Sequence, residues 1–208
     1  MLYQDTYEKM IKMTELTTVN AGASKFDIGA YKETMEHIIS DIFSQPTPDV
    51  QAFDILDTEK SKKNKLIALK VKQYQMKVGK IWQSALGNYH SFIVLRVGDK
   101  TGLDIMSEER KIIVKVKPST NTDIPSERKT NFDKLSNFKE AHPEYRCIYG
   151  CVNDDTEEKT VKGYNQLFRR EDGIVIEFHA GRPFIEYILG SDTDMIIDFV
   201  RETIDKYT

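Results

Sequence analysis

Three observations predict an α+β fold for this chain of 208 residues. Apolar residues recur at helical spacing in several stretches, β-branched runs of strand length stand between them, and short polar turns separate the two kinds. Around the middle of the chain the order is helix, strand, strand, helix, strand, the order of a sheet with helices packed on it. The composition, 39% hydrophobic and 30% charged, is that of an ordinary globular protein, and the length suits one well-cored domain.

The elements follow in order. Residues 3–15 carry a loose helical pattern, and TTVNAGASK (17–25) reads as a loop. FDIGAYKETMEHIISDIFSQ (26–45) has apolar residues at helical spacing, and Pro46 and Pro48 close it. Residues 64–96 hold one or two helices, with Trp82, Leu86 and His90 four apart on one helical face. TGLDIM (101–106) and KIIVKVK (111–117) are strand-like around the polar turn SEER, and Pro118 ends the second strand because it lacks a ladder donor. A helix is expected from about Ser126, as cap, to Ala141, with Phe132, Leu135 and Phe138 three apart. EYRCIYGCVN (144–153) is a buried strand, DDTEEKT (154–160) an acidic turn, GIVIEFHAG (173–181) another strand and RPFIEYIL (182–189) a short helix. SDTDMIIDFVRETIDKY (191–207) closes the chain as an amphipathic helix capped by Ser191 or Asp192. With no internal repeat and no flexible linker, one domain is the expectation: a helical extension over 1–75, a core over 76–190 and the closing helix over 191–208.

No apolar run approaches the ~20 residues of a membrane span, and the N-terminus lacks the layout of a signal peptide. Cys147 and Cys151 lie four apart in one strand, about 13 Å at roughly 3.3 Å per residue, too far for a disulfide. They read as reduced core residues, which fits a cytoplasmic protein. The net charge of −3 hides a strong asymmetry. Residues 60–139 carry 18 Lys and Arg against 7 Asp and Glu, while both flanking segments are acidic. A concentrated basic segment is the electrostatic footprint of a partner with a phosphate backbone, although the lysines of EKSKKNK (59–65) by themselves read as a solvated face.

The candidate chemistry lies in GLDIMSEERKIIVKVK (102–117). Hydrolysing a phosphodiester requires a metal ion at the scissile phosphate and a cation near the developing charge, and magnesium takes oxygen ligands, usually one or two carboxylates with water. A strand hairpin builds this compactly: an aspartate on the first strand, and an acid-x-lysine triplet on the second, whose alternate residues share a face. Here the aspartate is Asp104, the triplet is Lys115-Val116-Lys117, the Val116 carbonyl is a further metal ligand, and Lys117 is the catalytic lysine.

This hairpin, with its flanking elements, resembles the core of the PD-(D/E)-x-K nuclease superfamily. NTDIPSERKTNFDKL (121–135) sharpens the resemblance, being similar to a segment of the type II restriction endonucleases that cut G-G-N-C-C sites; IWQSALGNYH (81–90) and HAGRPFIEYILG (179–190) are similar as well. The resemblance spans roughly residues 80–190. It implies a restriction-endonuclease-like fold, a mixed central sheet flanked by helices with an N-terminal helical extension. It also implies a magnesium-dependent endonuclease acting on double-stranded DNA at a short palindromic site. Such an enzyme works as a homodimer, whose two-fold axis matches that of the site, alongside a cognate DNA methyltransferase. The mechanism implied is in-line attack of a metal-activated water, with Asp104 holding the metal and Lys117 orienting the water. Asn121, Thr122, Arg128, Lys129, Asn131 and Lys134 are the DNA-contacting candidates, arginine being suited to guanine O6 and N7.

One position departs from the pattern. Lys115 stands where the second carboxylate belongs; it binds no magnesium, and an ammonium ~4 Å from Asp104 is worth about 4 kcal/mol at an effective dielectric of ~20. Three readings follow: the acid has moved, with Glu108 and Glu109 nearby but in the turn; the chain is a naturally silent homologue that binds DNA without cutting; or glutamate was replaced by lysine to spare the host DNA, a change of a single base. A chance hairpin match would instead place Asp104 and Lys117 on different sides. Elsewhere the residues read as structural: Gln83 and His90 are peripheral, Phe132, Phe138 and Tyr149 belong to the core, and His37, His142 and His179 share no zinc-ligand spacing with the cysteines.

Overall fold

The computed structural model describes residues 26–45, 58–96, 98–119, 125–153 and 164–208. The expected helix over 3–15, the loop over 17–25, Pro46, Pro48, Asn121, Thr122 and the acidic turn at 154–160 all lie outside them. The chain divides into a short unit, residues 1–30, and a large one, residues 31–208, which contains the sheet.

The sheet is mixed and six-stranded, with order β1-β2-β3-β4-β6-β5: β1 (Ile93–Val94), β2 (Ile105–Ser107), β3 (Ile112–Ser119), β4 (Arg146–Asn153), β5 (Tyr164–Arg169) and β6 (Val175–Ala180). β1, β2 and β3 are antiparallel neighbours, β3 and β6 run parallel to β4, and β5 returns antiparallel on β6. The helices are α1 (Ile28–Ser44), α2 (Glu59–Gly87), α3 (Pro125–Ala141), α4 (Arg182–Leu189) and α5 (Thr193–Asp205). The expected α+β class, a mixed sheet flanked by helices, is therefore what the chain adopts. No helix among the described residues is long and apolar enough to cross a membrane.

On one face of the sheet α3 drops Leu135 among Leu103, Ile113, Cys147, Tyr149 and Cys151, with Phe132 and Phe138 partly buried against them. Both cysteines are buried, with no disulfide between them, and burial pushes the Cys147 thiol up to about 12. On α1, Tyr31, Met35, Ile38, Ile39 and Ile42 are buried at spacings of three and four, and the Tyr31 hydroxyl donates to the Ala85 carbonyl at 3.0 Å.

Of the one or two helices expected over residues 64–96 the chain forms one, α2, and four other local expectations need correcting. The helix is capped by Thr58, whose side chain accepts from the Ser61 N–H at 3.2 Å. It stops at Gly87, where an added Cβ would lie 2.5 Å from Val94 and 2.8 Å from Ile105, so the helix end meets the sheet at a contact only glycine permits. His90 thus lies beyond the helix, with φ 50°, not on a face shared with Trp82 and Leu86. Pro118 does not end β3, which continues to Ser119. The neighbouring groups on even positions, the Val114 carbonyl and the Val116 N–H, face the β2 side; at Pro118 β2 has already ended, so the missing N–H removes no ladder bond. Ser126 is not the cap of α3, because the helix begins at Pro125, a residue that tolerates the first turn, and the Ser126 carbonyl already accepts from Thr130 Oγ1 at 3.0 Å. Asp192 does precede α5, but its carboxylate makes no cap; it accepts instead from the Tyr89 hydroxyl at 2.9 Å, tying the closing helix to the end of α2.

Candidate functional site

The hairpin of β2 and β3 sets the site. Ile105 pairs with Val114 and Met106 with Ile113; the same register places Asp104 opposite Lys115, and the Asp104 N–H donates to the Val114 carbonyl at 3.0 Å. Opposed residues of an antiparallel pair project to the same face, so the two side chains meet. Lys115 Nζ lies 2.9 Å from Asp104 Oδ1, and the side chains are only 16% and 14% exposed. The other carboxylate oxygen, Oδ2, accepts from the Val116 N–H at 2.7 Å. Lys115 Nζ also donates to the Gly102 carbonyl at 3.4 Å. Each oxygen of Asp104 thus has a donor from the triplet Lys115-Val116-Lys117. Lys117, half-buried, stands two positions on from Lys115 and projects to the same face of β3.

α3 approaches this point from the sheet face it covers. Gly102 has φ +63°, and a Cβ built on it would lie 2.9 Å from Lys134 Nζ and 3.0 Å from Lys134 Cε. The end of the Lys134 side chain therefore lies over the backbone whose carbonyl Lys115 contacts. The other DNA-contacting candidates of α3 spread around the helix. Asn131 is buried, one turn before Leu135 on the face turned to the sheet; Arg128 is half-buried, and Lys129 is exposed in the first turn. The structure brings Lys134 over Gly102, two residues before Asp104, keeps Asn131 within the fold, and leaves Lys129 on the surface. Gly102 was missed in the sequence: a backbone carbonyl has no residue signature, and only the glycine before Leu103-Asp104 hinted at an unusual turn.

The donor set does not fit magnesium. That ion takes oxygen ligands in near-ideal octahedral geometry, whereas here a single carboxylate has one oxygen against an ammonium and the other against a backbone N–H. Among the described residues no group of three or more His, Cys, Asp or Glu side chains is placed to hold a metal. Glu108 and Glu109 sit in the turn between β2 and β3, exposed, at the far end of the hairpin from Asp104. With β2 three residues long, that is roughly 10 Å along the strand at about 3.3 Å per residue, out of reach of a shared ion.

A second polar cluster lies on the opposite face of the sheet. Arg146 of β4 donates Nε to Glu177 Oε1 at 2.7 Å and Nη2 to Oε2 at 2.6 Å, and His179 Nε2 stands 3.0 Å from Oε2. Arg110, in the turn after β2, donates to the Tyr187 and Ile188 carbonyls at the end of α4. These contacts anchor α4 and β6, and they contain no group aimed at Asp104.

A family model described as Eco47II restriction endonuclease matches residues 2–163, well over half of the chain. No curated protein matches it.

Proposed function

This chain belongs to the Eco47II restriction endonuclease family, and we propose that it is a type II endonuclease scaffold, built to recognise a short palindromic GGNCC-like site in double-stranded DNA and silenced at Lys115. The observation that carries this reading is the Lys115–Asp104 pair at 2.9 Å, in the place where the second carboxylate belongs. The similarity of residues 121–135 to enzymes cutting GGNCC supports the site, and the basic middle of the chain, including the exposed lysines at the start of α2, supports a DNA backbone as partner. A palindromic site favours a homodimer, since two symmetry-related sites then meet the two strands. In this reading residues 1–208 form one nuclease-like domain in the cytoplasm, working beside a methyltransferase that protects the same site. Asp104 and Lys117 are the surviving catalytic positions, and magnesium is the cofactor of the form that carries a carboxylate at position 115.

The same pair supports a second reading, in which the chain is natively a DNA-binding protein that never cut. Both readings require DNA binding, and the first requires it at a specific site. In competition gel shifts, a duplex carrying GGACC should outcompete a scrambled duplex by roughly a thousandfold or more, the lower end of specific recognition being about 10³. Equal competition by both duplexes would remove the recognition site, and no shift with either would remove DNA as the partner.

A further inference from the structure

At the site of the proposed nuclease, and resting on that reading, we infer that Lys115 takes the place of the divalent cation in binding DNA, so that this chain holds a DNA phosphate at Asp104 without any metal.

A carboxylate at the scissile position repels the phosphodiester, and in a metal-dependent site a divalent cation offsets that repulsion. In this chain Lys115 Nζ lies 2.9 Å from Asp104 Oδ1 and 3.4 Å from the Gly102 carbonyl, and the Val116 N–H takes Oδ2 at 2.7 Å. The negative charge is compensated from within the fold. Lys117 projects to the same face two positions on, and the end of Lys134 lies over Gly102 from α3. Lys115 therefore neutralises the carboxylate, and two further lysines, Lys117 on the same face of β3 and Lys134 over Gly102, add positive charge to this part of the hairpin that a phosphate would meet. The Lys115 and Asp104 side chains are 16% and 14% exposed, so bulk salt screens this charge less than it screens a surface lysine. Cation and ligand are one covalent chain, which makes the compensation independent of the metal in solution.

The test is binding of a short fluorescein-labelled duplex containing one GGACC site, followed by anisotropy at low salt in EDTA and then in calcium chloride. Calcium serves as a divalent probe in place of magnesium, so that a variant regaining cleavage is less apt to consume the duplex. The native chain should give the same Kd in both buffers within about twofold. Lys115→Glu should bind at least tenfold more weakly in EDTA and recover with calcium, because two carboxylates then face the phosphate. Lys115→Gln, neutral and closer in size, should fall between them and respond less to calcium. A native Kd that tightens fivefold or more with calcium overturns the inference while leaving DNA recognition intact. A glutamate variant that binds as well as the native chain in EDTA also overturns it. Absence of binding by all three proteins in both buffers overturns the reading of the chain as a DNA-binding nuclease scaffold, together with what rests on it.

Discussion

Lys115→Glu is expected to convert a chain that leaves plasmid DNA intact into one that cuts it at discrete sites in the presence of magnesium. The register of the hairpin is the reason. Asp104 and position 115 are opposed across β2 and β3, with Oδ1 and Nζ 2.9 Å apart, so a carboxylate introduced at 115 would stand on the same face as Asp104, and the two would supply the oxygen donors for a divalent cation. The substitution also removes the ammonium from beside Asp104. A bound metal contributes several kcal/mol of charge stabilisation to such reactions, roughly a thousandfold or more in rate at 1.36 kcal/mol per decade. Fragments from the variant alone establish that Lys115 silences the native chain. Cutting by both proteins places the second carboxylate elsewhere and refutes the site as assigned. Cutting by neither, with binding kept by both, identifies a natively silent DNA-binding protein. A thermal melt supplies an independent check. In EDTA the variant should melt below the native chain, because two carboxylates then face each other, and magnesium should raise its Tm. Ligand linkage is worth about 2.7 kcal/mol at a hundredfold excess over Kd. The native Tm should not respond.

The sequence made Asp104 and Lys115 legible because their encounter is local: two strand-like runs joined by a four-residue polar turn have few registers available. It did not make legible what lies over them. The contact between Lys134 and Gly102 depends on how α3 settles on the sheet, and the burial of Asn131 was overlooked although its spacing of four from Leu135 places both on one helix face. Two strands went unread for different reasons. β1 is only Ile93–Val94, too short for any alternation to register. β5 is an edge strand whose Leu167 and Phe168 are 60% and 42% exposed, so its apolar residues do not mark a buried face. The placement of β6 between β4 and β5 is a non-local pairing that no short pattern encodes. Pro118 misled for a related reason: whether a proline ends a strand depends on whether a neighbour still needs its N–H, and that neighbour is known only from the sheet.

The same non-local pairing creates the ionic cluster behind the last prediction, that Glu177→Gln destabilises the fold by about 2–3 kcal/mol near neutral pH and that the loss shrinks in acid. Arg146 and Glu177 are distant in sequence and meet because β4 and β6 run side by side, Ile148 opposite Glu177. Burial alone would raise the Glu177 pKa, but hydrogen bonds from His179 and Arg146, with their charges, outweigh it and hold the carboxyl down from 4.5 to about 2. A carboxyl whose folded pKa is depressed stabilises the fold above its unfolded pKa, and that stabilisation is lost as the pH falls from about 4.5 towards 2. At 1.36 kcal/mol per pKa unit the upper bound is about 3 kcal/mol. Breaking a buried ion pair costs about 3–5 kcal/mol where the orphaned charge stays dry; Arg146 is 50% exposed and can turn to water, which lowers the expected cost. His179 has less freedom, since its Nδ1 finds no hydrogen-bond partner among the described residues and Glu177 is what holds its other nitrogen. Urea unfolding of the native chain and the variant should show the full difference at pH 7 and a much smaller one at pH 3. A difference that stays constant across that range would mean that Glu177 acts through packing and not through its charge, and no difference at pH 7 would mean that the cluster contributes nothing to stability.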